Sequence, residues 1–206
     1  MRKFILVFLM LILPLSVYAE GKSHRNNFVA VDQYIESLNT DIPKDLIRAI
    51  AWVESGWRQF DDAGGVYVDG SMSKLTHKIS KDFGIMQINE KTIVESKMPL
   101  KFVRKLKSSM EFNILIGISE FEGKILYVRS LRASKYWMRI CKRYALRGMS
   151  ERQMVILAYD GFQADHLYVR MVEQAVKDHP WEKLPGVEKR GVKKGVSKAH
   201  NLRAGK

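Results

Sequence analysis

The stretch DIPKDLIRAIAWVESGW, residues 41–57, contains a helix together with both of its ends. Asp41 is a capping-type residue, and Pro43 is tolerated in the first turn of a helix. Gly56 and the sequence DDAGG at 61–65 are typical of a helix end and a loop. Between these ends, apolar residues recur at helical spacing, namely Leu46, Ile50, Val53 and Trp57. The stretch therefore predicts an amphipathic helix whose last turn borders a glycine-rich loop.

Glu54 lies in the last turn of this predicted helix and beside its apolar face, four residues after Ile50. Burial disfavours the charged form of a carboxyl group and raises its pKa, so a partly buried Glu54 can stay neutral. A neutral carboxylic acid can protonate a leaving group as a general acid. Periodicity alone favours the ordinary alternative, a boundary glutamate whose stem packs while its head reaches solvent.

The rest of the chain predicts a mainly α-helical protein with a single domain. Helical periodicity recurs along the sequence, and no internal repeat is present. The sequence near 64–72 also allows a small β-hairpin, with Asp69-Gly70 as its turn. We assign residues 20–40 to a linker and a short helix, and residues 41–181 to the folded domain.

The first residues have the composition of a secretory signal peptide. A basic start is followed by an apolar run over residues 4–17, and Val17-Tyr18-Ala19 predicts cleavage after Ala19. The apolar run is shorter than the ~20 residues that a membrane-spanning helix needs. We therefore expect residues 1–19 to direct export to the periplasm or to the extracellular space and cell wall.

The formal charge of +13 suits an anionic partner, such as a bacterial wall or a membrane surface. Residues 182–206 contain eight Lys or Arg against two Glu, which predicts a basic, disordered tail. Residues 124–147 contain eight Lys or Arg and no acid, with aromatic residues between them. That second pattern is also typical of a groove for single-stranded nucleic acid. Export argues against nucleic acid, so we expect the tail to meet an anionic wall or membrane surface.

Metal and thiol chemistry have no support in the sequence. Cys141 is the only cysteine, so the chain can form no internal disulfide. The five histidines stand singly, and none has the spacing of a metal-binding motif such as H-E-x-x-H. We therefore expect no metal and no cofactor.

Four motifs in order resemble the soluble lytic transglycosylases of the goose-type lysozyme-like superfamily. They are AWVESGW at 51–57, SKDFGIMQIN at 80–89, NILIG at 113–117 and AYDG at 158–161. The second motif is highly specific, whereas the first and third would be weak alone. The sequence is most similar to the small transglycosylases that accompany secretion and conjugation machines.

The resemblance implies a lysozyme-like fold with a substrate cleft, and it gives roles to individual residues. Glu54 takes the position of the family's catalytic acid. The positions that line the family's substrate cleft are Ser80, Met86, Gln87, Asn89, Tyr159 and Asp160. Met86 can equally be a core residue. Asn113 is better explained as a structural residue that hydrogen-bonds the backbone.

Two features depart from the family pattern. Glu54 and Gly84 are separated by 29 residues, more than in compact members, and the excess falls at 66–79. Asp160 stands where the family has an asparagine. An ionised aspartate only accepts hydrogen bonds, whereas asparagine also donates them, so one substrate contact is in doubt.

The activity that the resemblance implies is lytic cleavage of peptidoglycan, with its glycan strands as substrate and a secretion or conjugation machine as partner. One glutamate would cleave the β-1,4 bond between N-acetylmuramic acid and N-acetylglucosamine and leave a 1,6-anhydro product. A hydrolytic lysozyme of the same fold is the first alternative, since an aspartate could serve as second carboxylate. The other alternative is a non-catalytic wall-binding protein that guides an envelope-spanning machine.

Truncation after Trp181 should weaken binding to isolated sacculi at low salt, where charges are least screened. The removed residues 182–206 carry a formal charge of +6 and no chemical motif. Cosedimentation with sacculi at several salt concentrations measures the effect. Activity on short soluble glycans should survive the truncation, and its loss would contradict a role restricted to wall association.

Overall fold

The computed structural model describes residues 26–69 and 81–187 of the protein. The described residues form eight α-helices, which are α1 Phe28–Ser37, α2 Lys44–Ser55, α3 Glu90–Glu95, α4 Leu100–Ser108, α5 Met110–Arg132, α6 Trp137–Arg143, α7 Glu151–Tyr159 and α8 Leu167–Asp178. Three short strands are β1 Val68–Asp69, β2 Asp82–Phe83 and β3 Ile88–Asn89, and a 3-10 helix spans Pro180–Lys183. The predicted mainly α-helical architecture is confirmed.

The predictions for the signal peptide, for Ser80 and for the tail from residue 188 onward lie outside the described residues. Within residues 26–69 and 81–187, no helix combines the length and the apolar composition that crossing a membrane requires.

Helix α2 ends at Gly56 as its sequence predicts, but it begins at Lys44, so the predicted capping role of Asp41 and the place of Pro43 inside the first turn are wrong. Pro43 is the residue before its first turn, and Asp45 is the acidic residue inside that turn. Gly56 adopts a left-handed conformation with φ 62°, and its amide bonds back to the last carbonyls of the helix. A glycine takes this conformation without strain, so the helix ends at Ser55.

The strands form one small antiparallel sheet in the order β1-β2-β3. Strand β1 pairs with β2 so that Asp69 lies opposite Asp82. Asp69 is therefore part of a strand, and the predicted tight turn at Asp69-Gly70 is wrong. The partner strand comes from residues after the 66–79 excursion, so it does not follow Gly70 directly. Upstream, Phe60 and Val66 form a separate antiparallel bridge.

Helix α2 is the central element of the core, because it packs against α1, α8 and the 3-10 helix. The ring of Trp57, just beyond its end, is fully buried and stacks on Trp181 with centroids 5.9 Å apart. Leu184 and Val187 also pack against the core. Residues 182–187, assigned to the tail from sequence, thus contact the domain, and a truncation that spares these contacts ends after Val187.

A buried arginine joins α1 to α2. The Arg48 side chain lies in the interior and forms three ion pairs, with Asp32 at 2.8 Å, Glu36 at 2.7 Å and Asp45 at 3.1 Å. Asp32 is buried, whereas Glu36 and Asp45 reach solvent. The Arg48 carbonyl also accepts a hydrogen bond from the Trp57 indole at 3.0 Å. The N-terminal helix is therefore tied by charge to the helix that carries Glu54.

Arg48→Met should lower the free energy of unfolding by about 3–5 kcal/mol, because removal of one partner breaks a buried ion pair. Urea denaturation followed by circular dichroism measures the change. Lys91→Met is the matched control, since it removes a cation from the exposed Lys91–Glu95 pair, and it should cost less than about 1 kcal/mol. Equal effects of the two substitutions would contradict a stabilising role for the buried network.

Candidate active site

Glu54 lies in the last turn of α2, where the chain is about to reverse at Gly56. The next residue, Ser55, is buried, and its hydroxyl donates to the carbonyl of Ile85 at 2.8 Å. This bond fastens the end of α2 to the loop between β2 and β3. The position of Glu54 relative to that loop is thus set by a residue adjacent to it in sequence.

The loop between β2 and β3 is held by two buried side-chain amides. Asn113 accepts a hydrogen bond from the Met86 amide at 2.8 Å and donates to the Phe83 carbonyl at 2.8 Å. Gln59 accepts from the Ile85 amide at 3.0 Å. The structural interpretation of Asn113 is confirmed. The role of Gln59 was missed from sequence, because nothing local distinguishes it from a surface glutamine.

Gly84 is required where these amides meet. It has φ 73°, and a Cβ added there would lie 2.5 Å from both the Asn113 amide nitrogen and the Gln59 amide oxygen. Real Cβ atoms do not approach other atoms so closely, so any other residue would push both amides away from the loop. The glycine of the second motif therefore serves the geometry of the loop beside Glu54.

Met86 occupies the core, which is the alternative that the sequence left open. Its side chain is 1% exposed. It packs so closely on α5 that a Cβ added to Gly117 would lie 2.7 Å from the Met86 Cβ. The backbone of Met86 faces the site, because its carbonyl accepts a hydrogen bond from the Tyr159 hydroxyl at 3.3 Å.

Gln87 follows in a left-handed conformation with φ 47°. Its side-chain nitrogen donates to the Gly84 carbonyl at 2.7 Å. Its side-chain oxygen is buried, and no described residue hydrogen-bonds to it. A buried acceptor without a partner costs free energy, so an unsatisfied oxygen at this place is available to a ligand donor.

Both polar atoms of the Asn89 side chain form hydrogen bonds within the protein. Its side-chain oxygen caps α3 by accepting from the Lys91 amide at 2.8 Å. Its side-chain nitrogen donates to an oxygen of Asp82 at 2.5 Å. The amide therefore stabilises the start of α3 and the β2–β3 pairing, and these bonds hold it in one orientation.

Two tyrosines from the C-terminal half of the domain complete the site. The Tyr168 hydroxyl, on α8, donates a hydrogen bond to the Glu54 carboxyl. Tyr159, at the end of α7, packs its ring on Phe121 and donates to the loop. Tyr168 was missed from sequence, where it shares a helical face with Val172 but shows no sign of its partner.

The carboxyl group of Glu54 is neutral at neutral pH. Burial raises the pKa of Glu54 to about 8, and the negative charges of Asp160, Asp82 and Glu120 act in the same direction. The hydrogen bond from Tyr168 opposes this shift, because it favours the charged form. Glu54 is therefore a proton donor held in a fixed orientation, the arrangement that general acid catalysis requires.

The pKa values of the neighbouring carboxyl groups are raised as well. Burial and the nearby Asp165 raise the pKa of Asp160 to about 6, so it is mainly ionised at pH 7. Burial also raises the pKa of Asp82 and of Glu120. The described residues bring Glu54, Gln87, Tyr159 and Asp160 to one region, and they add Tyr168, Asp82 and Glu120 to the residues that sequence predicts.

Comparison with protein families gives one finding. Residues 34–161, more than half of the chain, match the family model described as "Transglycosylase SLT domain". Neither the curated proteins nor the solved structures gave a match. The matched range begins in α1 and ends just after Asp160, so it includes Glu54 and the loop beside it but not Tyr168.

Glu54→Gln should raise the melting temperature relative to the wild type, increasingly so from pH 4.5 to pH 8. The neutral form is favoured in the folded state, so the stability that depends on it is fully present below the unfolded pKa of 4.5. It is lost as the pH rises through the folded value of about 8, whereas glutamine stays neutral throughout. Circular dichroism melting curves across this range measure the difference. A difference that does not grow with pH would contradict a partly buried, neutral Glu54.

Proposed function

The chain belongs to the transglycosylase SLT domain family, and on that premise we propose that it is a peptidoglycan lytic transglycosylase with Glu54 as its general acid and base. Members of the family are lytic transglycosylases with a lysozyme-like fold, and their substrate is peptidoglycan. The observation that carries the proposal is the raised pKa of Glu54, which leaves a protonated carboxyl aligned by Tyr168.

The proposed reaction has two steps and one catalytic carboxyl. Glu54 first donates its proton to the oxygen that links N-acetylmuramic acid to N-acetylglucosamine, and the bond from that oxygen to C1 breaks. The substrate's own acetamido group stabilises the positive charge at C1. The Glu54 carboxylate then accepts the proton of the C6 hydroxyl, whose oxygen attacks C1 and closes a 1,6-anhydro ring. Glu54 returns to its neutral form, and no water is consumed.

The surroundings of Glu54 support this double role. The hydroxyl of Tyr168 stabilises the carboxylate form that exists between the two steps. Burial and the nearby negative charges favour return of the proton. A pKa near the working pH is the best compromise for a group that must both donate and accept a proton.

We propose that polar groups in the region of Glu54 bind the substrate. The buried oxygen of Gln87 lacks a donor among the described residues, which supports a bond from a sugar hydroxyl or acetamido N–H. Asp160 is the second proposed contact, and as a carboxylate it would accept from the substrate. Substrate contact by Ser80 and by the backbone around Met86 stays a prediction from the family pattern. The same holds for Tyr159, whose hydroxyl bonds to the loop.

A hydrolytic lysozyme is the second candidate, because other carboxyls lie within electrostatic reach of Glu54. Asp160 is the carboxyl that we assign to activate a water in this alternative, since it is mainly ionised at pH 7. Glycosidases with two carboxyls hold them roughly 5–9.5 Å apart. The transglycosylase proposal is preferred because it needs only the one acid that the family pattern places at Glu54.

Action on peptidoglycan is consistent with an exported protein. We infer export through residues 1–19, followed by action in the periplasm or at the cell wall. Association with a secretion or conjugation machine is a prediction from resemblance, and so is the contact of the basic tail with an anionic surface. A non-catalytic wall-binding role is disfavoured, because a pure binder gains nothing from a partly buried, neutral glutamate.

Glu54→Gln should lower turnover of purified sacculi by about 10²–10⁴-fold, because the amide keeps the shape of the side chain but cannot deliver a proton. The released muropeptides of the wild-type digest should be lighter by one water than lysozyme products, as mass spectrometry of the digest would show. Reducing ends in place of anhydro rings would refute the transglycosylase mechanism. Full activity of the variant would refute the site.

Asp160→Asn is the matched control, since it also converts a carboxyl of the site to an amide. It should keep most of the activity, because asparagine is the residue that the family pattern has at this position. A loss as deep as that of Glu54→Gln would instead support the two-carboxyl lysozyme mechanism.

A further inference from the structure

The corner between α3 and α4 exposes two large apolar side chains. Val94 is 68% exposed and Leu100 is 65% exposed, which places them among the most exposed apolar residues of the described chain. The backbone of the corner is fixed, because the amides of Ser96, Lys97 and Met98 all donate hydrogen bonds to carbonyls of α3. The two apolar side chains are therefore held in solvent by an ordered turn of the chain.

A row of positive charge continues from this corner along α4. Residues 96–110 contain five Lys or Arg and no acidic residue. Lys101, Arg104 and Lys105 are exposed, and their spacing places them on one side of the helix, where Leu100 adjoins Arg104. We call these four residues the α4 basic face. None of its three cations forms an ion pair with a residue in 26–69 or 81–187.

Aromatic rings, not carboxylates, support the lysines of this face. The Lys101 ammonium lies 5.0 Å from the centre of the Phe102 ring, and that of Lys105 lies 5.2 Å from the centre of the Phe112 ring. The two rings stack on each other at 5.8 Å. A ring face attracts a cation but does not neutralise it, in contrast to the three carboxylates around Arg48. The charge of the face is therefore available to an external anion.

Charge beside an isolated apolar side chain suits the surface of an anionic membrane. Lysine and arginine are attracted to anionic headgroups, and an apolar side chain that passes between the headgroups leaves water. A fluid lipid surface adapts to a single protruding leucine, whereas a protein partner needs a shape-complementary apolar patch. The backbone of a nucleic acid would satisfy the cations but offers no apolar layer to Leu100. The chemistry of the face therefore favours lipid over the other polyanions.

Helix α4 is anchored to the loop beside Glu54. The side-chain nitrogen of Gln59 donates to the carbonyls of Leu106 and Lys107, at 3.1 and 3.3 Å. The side-chain oxygen of the same residue accepts from the Ile85 amide in the loop. One buried amide thus joins the end of α4 to the loop, so a surface bound by α4 lies at a fixed position relative to the proposed active site.

We propose that the α4 basic face docks the protein on an anionic lipid surface, with Lys101, Arg104 and Lys105 against the headgroups and Leu100 inserted between them. The face is separate from the basic tail that begins after the folded domain. Docking involves no step of the reaction assigned to Glu54, so it goes beyond the proposed function and does not depend on it. A docked enzyme acts on glycan strands that lie close to the membrane.

Binding of the full chain to two kinds of vesicle tests the docking. One kind is phosphatidylglycerol mixed equally with phosphatidylcholine, and the other is phosphatidylcholine alone. The wild type should cosediment with the anionic vesicles and far less with the neutral ones, and equal binding to both would contradict recognition of charge. Lys101→Gln/Arg104→Gln/Lys105→Gln should weaken binding to the anionic vesicles by about tenfold or more, because three attractions to headgroups are lost.

Lys135→Gln/Lys142→Gln/Arg147→Gln is the matched control. It also removes two lysines and one arginine, from exposed positions outside α4. It should weaken binding to the anionic vesicles less than about threefold, because salt screens charges that lie more than about 10 Å from the lipid. Equal losses in the two triple variants would show that only the net charge matters and would overturn the proposal.

Leu100→Ser separates a lipid surface from other polyanions. It should weaken binding to the anionic vesicles by about threefold or more, because less apolar area leaves water. Binding of soluble poly-glutamate and of a single-stranded oligonucleotide should not change. Unchanged vesicle binding, or an equal loss for vesicles and soluble polyanions, would overturn the proposal. Glu54→Gln should bind the vesicles as the wild type does, so failure of the proposed function would leave the docking result standing.

Discussion

Burial of one carboxyl group is the constraint on which the rest of the structure depends. Glu54 lies at the end of α2, and its pKa of about 8 arises mainly because the folded protein removes it from water. Such a group destabilises the fold once it ionises, so its position must be enforced by other contacts. The Tyr168 hydroxyl fixes the carboxyl from one side, and the loop that follows β2 is fixed against the helix end by Ser55.

The loop beside Glu54 is itself built on side-chain amides instead of regular secondary structure. Asn113 and Gln59 are both buried, and each satisfies backbone groups of the loop that no strand or helix could satisfy. Gly84 lets the two amides come together, and Gly117 gives room for Met86. Buried polar groups of this kind are costly when only half satisfied, so the loop has one conformation and its backbone can serve as a wall of the proposed site.

Charge is distributed unevenly over the domain. Burial and, to a smaller extent, the negative charges of nearby carboxyls raise the pKa of Glu54, whereas a cavity lined by α5 and α6 presents Arg139 and Arg143. Both arginines lie in residues 124–147, a segment that contains no acidic residue.

The sequence alone determined helix α2, its C-terminal end and the place of Glu54 in its last turn, because the amphipathic period and the stop signal act within a few residues of one another. The main-chain role of Asn113 also followed from sequence. The pairing of Asp69 with Asp82 did not follow from sequence, because the residues between the two strands separate them too far for a local pattern to indicate the partner. The tertiary structure alone decided that Tyr168 bonds to Glu54, 114 residues away, and that Arg139 and Arg143 share a cavity with Phe162. Such contacts and the burial that raises the pKa of Glu54 are properties of surfaces that exist only after the helices have packed together.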